Sequence, residues 1–216
     1  MEKLSVEEGA FLVRLARRAV TEYLNRAIII EPPSETPQKL LERSGVFVTI
    51  EKISVNPLTR QARRDLRGCI GYPEPIFPLA EATIRAAIAA ATEDPRFPPV
   101  TPRELDELIF EVSVLSKPQL VSYTDYRELL NKVRVGRDGL LVEHGMSRGL
   151  LLPQVPVEEG WDVEEFLSYA CLKAGLPEDF WRSGKLKVYT FQAQIFVEVT
   201  PSGDVTERIL EFFPSE

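Results

Sequence analysis

The sequence predicts an α+β fold: a mainly antiparallel sheet flanked by helices, with a smaller second lobe. Three observations carry this expectation. Helical and strand-forming segments interleave irregularly, glycine-containing turns suited to hairpins separate strand-forming runs, and no Rossmann or P-loop glycine pattern marks a doubly wound parallel sheet. At 216 residues with 44% hydrophobic and 27% charged content, the chain is long and apolar enough to bury a substantial core. We read residues 1–200 as one domain of two lobes and 201–216 as a C-terminal extension.

The elements follow in order. Ser5-Val6-Glu7-Glu8 has the form of a capping box, in which the serine hydroxyl and the Glu8 carboxylate satisfy each other's free N–H groups. Phe11, Leu12, Leu15, Ala16, Ala19, Tyr23 and Leu24 then make an apolar stripe that carries a helix to about Arg26, with Arg14, Arg17 and Arg18 on its wet face. Pro32, Pro33 and Pro37 make Glu31 to Gln38 a loop. Gly45 to Lys52 alternates Val46, Val48 and Ile50 with Phe47, Thr49 and Glu51, which predicts a strand. A polar connection with Asn56-Pro57 leads to Leu66 to Tyr72, a short apolar strand whose glycines suggest a bulge or a close backbone approach.

Leu79 to Thr92 is an alanine-rich helix, and Thr101-Pro102-Arg103-Glu104 starts another, shorter one. Leu108 to Leu115 is apolar apart from Glu111 and Ser113, which suits an interior strand. Tyr126 to Lys132 is a short helix, and Gly136-Arg137-Asp138-Gly139 supplies a hairpin turn within Val133 to Glu143. Asp162-Val163-Glu164-Glu165 opens a capped helix that Gly175 and Pro177 end, and Leu186 to Val199 reads as one long strand of the main sheet.

Charge and cysteine usage narrow the function classes. An excess of 33 acidic over 26 basic residues argues against a polyanion clamp over the whole surface. Met1 to Glu8 lacks the basic and apolar regions of a signal peptide, and Ala80 to Ala91 is broken by Glu81, Thr83 and Arg85, so neither export nor a membrane span is expected. Cys69 and Cys171 form no disulfide framework, which fits the cytoplasm, and a single His144 without a close cysteine pair predicts no zinc site. No cofactor motif is present, and a small homo-oligomer is the expected assembly.

Leu66-Arg67-Gly68-Cys69-Ile70-Gly71 is the segment that could carry chemistry. In a regular strand Arg67 and Cys69 share a face, and a cation beside a thiol raises its thiolate fraction. Gly68 and Gly71 would let a ligand come close. The competing reading, which residue type alone favours, is a small buried thiol between packing glycines. Asp94-Pro95-Arg96-Phe97-Pro98-Pro99 is a stiff loop presenting an acid, a base and an aromatic ring, or else a well-ordered connection with an Asp94–Arg96 pair. His144, in Glu143-His144-Gly145-Met146-Ser147-Arg148-Gly149, is the sole histidine and a candidate for proton transfer, although an exposed turn residue is the commoner outcome. Arg60, Arg63, Arg64 and Arg67 form a basic run that could meet phosphate, but no aromatics interleave it for base stacking.

Four segments, Gly45-Val46-Phe47-Val48, Leu66 to Gly71, Asp94 to Pro99 and Leu150-Leu151-Leu152-Pro153-Gln154-Val155, resemble the AMMECR domain family in order and spacing. The likeness runs from the first helix to about Val199, and its last segment resembles archaeal or bacterial members; low Asn and His usage with many prolines suits a thermophile. The resemblance implies an α+β fold with a larger and a smaller lobe and a cleft near the Arg-Gly-Cys-Ile-Gly signature. It supplies no catalytic residue. It implies a functional surface at Arg67, Gly68, Cys69, Ile70 and Gly71, and a genomic link to Memo-type and radical-SAM proteins as partners in a modification pathway. On this basis Cys69 is the candidate catalytic group. Arg67, Gly68, Ile70, Gly71, Asp94, Arg96, Phe97 and Arg148 are the candidate contacts to a small or nucleotide-like ligand. A protein-binding module using the same groove is the alternative.

Overall fold

A computed structural model describes residues 3–55 and 62–210. In chain order its elements are α1 (Val6–Arg26), β1 (Gly45–Val55), β2 (Ala62–Tyr72), α2 (Leu79–Thr92), β3 (Leu108–Leu115), β4 (Gln119–Leu120), α3 (Arg127–Lys132), β5 (Gly139–His144), β6 (Ser147–Leu151), α4 (Gln154–Glu159), α5 (Val163–Lys173), β7 (Lys187–Phe191), β8 (Ala193–Glu198) and β9 (Val205–Arg208). Short 3-10 turns cover Gln38–Leu41, Pro102–Glu107 and Phe180–Ser183. The fold is α+β, with antiparallel pairing between β1 and β2, β1 and β3, and β8 and β9. Asn56-Pro57 and Arg60 lie outside the described residues.

The chain divides into two compact units. The larger comprises residues 1–115 and 194–208. Its sheet has the order β2-β1-β3-β8-β9, so β3 is central, as its unbroken burial requires. Val46, Val48 and Ile50 alternate onto one face, where they join Leu12, Ala16, Ala19, Ile84, Ala87, Phe110, Val112 and Phe196 in a single core under α1 and α2. The predicted capping box at Ser5 and Glu8 is present, and the short helix expected from Thr101 is a 3-10 turn on which Glu104 caps the Thr101 N–H. Arg17 departs from the expected wet face of α1. Its guanidinium pairs with the buried Glu198 carboxylate at 2.6 Å and lies over the Phe110 ring, because a long side chain can carry its charge inward when a carboxylate waits there. Strand β9 also brings Val205–Arg208 into this sheet, within the segment that the sequence sets apart as an extension.

The smaller unit comprises residues 116–193 with Ile209 and Leu210. Its sheet has the order β4-β7-β5-β6, and α5 packs on β6 so closely that a Cβ on Gly149 would lie 2.6 Å from the Ala170 carbonyl oxygen. Leu140, Val142, Val188, Phe166, Leu167, Cys171 and Trp181 form its core. Two sequence expectations change here. The hairpin does not turn at Gly136 to Gly139. The Asp138 carboxylate accepts from the Arg134 N–H and from Arg137, closing a loop before β5, and the strands instead reverse between His144 and Ser147 around Gly145 at φ +57°. The run Leu186 to Val199 is two strands in different sheets. It breaks at Gln192, whose N–H donates to the Ser116 hydroxyl and whose carbonyl accepts the Ser116 N–H.

Candidate functional site

The antiparallel register sets Cys69 opposite Thr49 and Thr49 opposite Glu111, so the three lie in one row across β2, β1 and β3. This row is on the face away from α1 and α2, since its neighbours Val48, Ile50, Phe110 and Val112 fill the helical core. The Thr49 hydroxyl donates to Cys69 Sγ at 3.3 Å. Glu111 is buried in this row, and Arg208 on β9 reaches it at 3.0 Å.

A bulge next to Cys69 changes what Arg67 does. Ile50 pairs with Gly68 and Glu51 with Leu66, which leaves Arg67 as the extra residue of β2. The guanidinium is thereby taken out of the strand alternation and does not pair with the thiol. It donates to Glu104 at 2.9 Å and to the carbonyls of Pro98 and Pro99 at 2.8 and 3.3 Å, and the residue is 9% exposed. Arg67 is a buried strut that ties the proline loop to the strand. Burial works to raise the Glu104 pKa, but hydrogen bonds from Arg67 and Thr101 outweigh it and hold the carboxyl at about 2.

The loop Asp94 to Pro99 lies along the free edge of β2. Asp94 Oδ2 accepts the Cys69 N–H at 2.8 Å, so the edge strand is blunted where its donor would otherwise be open. The same carboxylate, itself buried, holds Arg96 through Nε and Nη2 at 2.9 and 2.7 Å. Hydrogen bonding to Arg96 keeps Asp94 well below the usual carboxylate range despite its desolvation. Arg96 remains about half exposed and lies 5.5 Å from the Phe97 ring centroid. It is therefore a fixed but open cation.

The surroundings of the Cys69 thiol disfavour its thiolate form. Burial pushes the Cys69 pKa up, and Glu111 and Asp94 add to that; the Thr49 hydroxyl and the Arg96 charge oppose it without prevailing. The expected lowering by Arg67 is absent because that charge is spent on Glu104, and Arg96 is the cation that acts on the sulfur. Cys171 sits in the core of the smaller unit with its pKa pushed up to about 11, chiefly by desolvation.

Gly68, Ile70 and Gly71 of the same segment make close packing contacts. A Cβ on Gly68 would lie 2.0 Å from the Ala90 carbonyl oxygen of α2, and one on Gly71 would meet Val46 O and the Phe47 ring. Ile70 packs against the helical core. His144 and Arg148 belong to the other unit, on the β5–β6 hairpin. His144 is exposed, with Nδ1 3.3 Å from the Lys185 carbonyl and its ring beside Phe180, and Arg148 pairs with Glu143 at 3.2 Å. In the basic run, Arg63 pairs with Asp65 and Arg64 with Glu51. Among the described residues no group of three His, Cys, Asp or Glu is placed to hold a metal ion, and no helix is long and apolar enough to cross a membrane.

Sequence reasoning did not include Thr49, Glu104, Glu111 and Arg208 in the site. Glu111 had a signal, as the one charged residue of the buried strand β3, and Thr49 had another, as a polar position alternating with Val48 and Ile50.

The sequence profile of AMMECR1 matches residues 13–196. The chain belongs to the AMMECR1 family. It is 74% identical over 211 residues to a protein of Thermofilum pendens, covering 98% of this chain and 99% of that one. Protein TK0174 of Thermococcus kodakarensis is 56% identical over 210 residues, with 97% and 100% covered. The crystal structure of the uncharacterized protein PH0010 from Pyrococcus horikoshii superposes with a TM-score of 0.88 at 56% identity, covering 94% of this chain and 98% of that one. These similar proteins come from archaeal thermophiles, and the α+β fold is shared with the Pyrococcus horikoshii structure.

Proposed function

We propose that this AMMECR1 protein binds a small, nucleotide-like ligand at Cys69, with the anionic part of the ligand held by Arg96 and the thiol serving as a neutral contact. The observation that carries the reading is the fixing of Arg96. A buried carboxylate grips its guanidinium bidentately and leaves it half exposed beside an aromatic ring, which gives an anion and a base ring a prepared seat. Thr49 supplies a hydroxyl next to the sulfur. Arg67, Gly68, Ile70, Gly71 and Asp94 hold this surface in shape rather than touch the ligand. If the protein is an enzyme component, Cys69 acts there as a weak acid or a contact and not as a resting thiolate.

Calorimetric titration with nucleoside mono- and diphosphates, and with inorganic phosphate, tests the reading. Binding should weaken at least about tenfold in Arg96→Ala and stay within about threefold in Cys69→Ser. Saturable binding that Arg96→Ala leaves unchanged would remove the proposal, as would no binding by any of these probes. Iodoacetamide should label Cys69 slowly at neutral pH, with a rate that climbs only in the alkaline range. A labelling midpoint below that of free cysteine would restore the nucleophile.

A second reading is favoured by the exposure of Pro95, Arg96, Pro98 and Pro99 on a loop that buried groups hold rigid. Such a surface suits a partner protein, and Memo-type or radical-SAM proteins are the partners that the family resemblance suggests. Pro95→Ala, which leaves Arg96 and Phe97 in place, should then weaken complexes recovered from the native source without altering nucleotide binding.

A further inference from the structure

On the smaller unit, helix α5 buries Phe166, Leu167, Ala170 and Cys171 and turns a different stripe outward. Glu165, Tyr169 and Leu172 follow one another at spacings of four and three along that stripe, with Tyr169 42% and Leu172 48% exposed. Trp161, just before the helix, stacks on Tyr169 with ring centroids 3.9 Å apart and planes within 6°. Parallel rings at that separation align their quadrupoles, so a cation on the outer face is attracted by both rings. The pair is held in place by the Asp162–Glu165 capping box that starts α5, so it is preorganised rather than loose.

The charge around this face is mainly acidic. Residues 149–172 carry Glu158, Glu159, Asp162, Glu164 and Glu165 and no Lys, Arg or His, against which stand Lys173 at the end of α5 and Arg182, which pairs with Glu164 at 2.9 Å. A nucleic acid or an anionic membrane would be repelled, and a second copy of a chain with net charge -7 is disfavoured for the same reason. The complementary occupant is basic with an apolar residue beside the charge.

We propose that the outward face of α5 docks a basic segment of a partner protein, a cationic side chain seating on the stacked Trp161 and Tyr169 rings and an apolar one packing on Leu172. The surface is independent of Cys69. It gives the smaller unit a recognition role of its own, directed at a cationic peptide, while the larger unit takes an anion.

The test is a peptide array of acetylated seven-residue segments in three classes, each holding one Leu: with Arg or Lys, with neutral polar residues, and with Asp or Glu. The full chain is applied to the array, and the best members are then titrated in solution by Trp161 fluorescence. Trp181 is buried in the core, so the change reports the surface ring. The basic class should be captured selectively, and its affinity should fall about tenfold in Tyr169→Ala and in Leu172→Ser. It should also weaken in Glu159→Gln and as salt is raised from about 50 mM to about 500 mM. Circular dichroism checks that each variant is folded, and Leu172→Ser preserves the test should Tyr169→Ala disturb the helix. Capture of all three classes alike, no capture, or basic capture unchanged in both Tyr169→Ala and Leu172→Ser would overturn the proposal. A concentration-dependent dimer that Tyr169→Ala dissolves would overturn it in favour of a second copy.

Discussion

The strand around Cys69 and the hairpin around His144 look equally conspicuous as sequence, yet they are built in opposite ways. In the first, polar groups are engaged by distant parts of the chain, Arg67 by Glu104 and two proline carbonyls and the Cys69 N–H by Asp94, and Gly68 packs close against the backbone of α2. In the second, His144 and Met146 are exposed and Arg148 pairs with Glu143, its cross-strand neighbour. The first segment therefore holds the larger unit together as well as shaping a surface, and the second is held by more exposed contacts, among them His144 with the Lys185 carbonyl and Phe180 and Arg148 with Glu143.

Removing Arg67 is the sharpest way to break that contrast. Arg67→Ala strands Glu104 with much of its desolvation and none of its main partner, and should cost about 3–5 kcal/mol by guanidinium denaturation. His144→Ala should change stability by less than about 0.5 kcal/mol in the same assay. Equal effects would mean that the buried strut carries no more than a surface turn.

Acid should separate the two regions next. Glu104 has a folded pKa of about 2, below the ordinary value near 4.3, so the unfolded chain binds its proton more readily. Its contribution, roughly 3 kcal/mol, is fully present above about pH 4.5 and is lost as pH falls toward 2. Asp94 acts in the same direction at still lower pH. Denaturation measured across this range should show a slope that flattens in Glu104→Gln. An unchanged slope in that variant would assign the acid sensitivity elsewhere.

The two glycines give a smaller difference. Gly68→Ala drives a methyl group into the Ala90 carbonyl, which is backbone and cannot swing aside, and should cost about 1–3 kcal/mol. Gly145→Ala meets open space and loses only the freedom of a positive φ, about 1 kcal/mol. Melting curves of the pair test whether close packing or turn geometry is the stronger reason for a glycine here.

These contrasts also explain what the sequence could reveal. Capping boxes at Ser5, Thr101 and Asp162, the alternation in β1 and the buried run of β3 are local signals, and the structure follows them. The partner of Arg67 was not legible. A bulge defined by pairing with β1 redirects the side chain, and Glu104, 37 residues away, reads as a capping residue only. For the same reason the run through Gln192 looked continuous: strand-forming residues mark β structure, but the sheet they join depends on Ser116 across the molecule's smaller unit. The Gly136 to Gly139 turn failed differently, because Asp138 closes a loop with Arg134 and Arg137 that glycine spacing alone cannot distinguish from a hairpin.

The Glu143–Arg148 pair should give the smallest effect. Its side chains are 31% and 43% exposed, so solvent and salt screen the attraction, and holding two long side chains in register costs entropy that offsets the Coulomb gain. A double-mutant cycle with Glu143→Ala and Arg148→Ala should return a coupling of no more than about 0.5 kcal/mol, shrinking further at high salt. The corresponding cycle at Arg67 and Glu104 should return several times that value and resist salt, since those charges are shielded from water. Were the hairpin cycle to match the buried one, solvent would screen the Glu143–Arg148 pair no more than the buried strut, and the hairpin would have to be counted with the structured strand rather than against it.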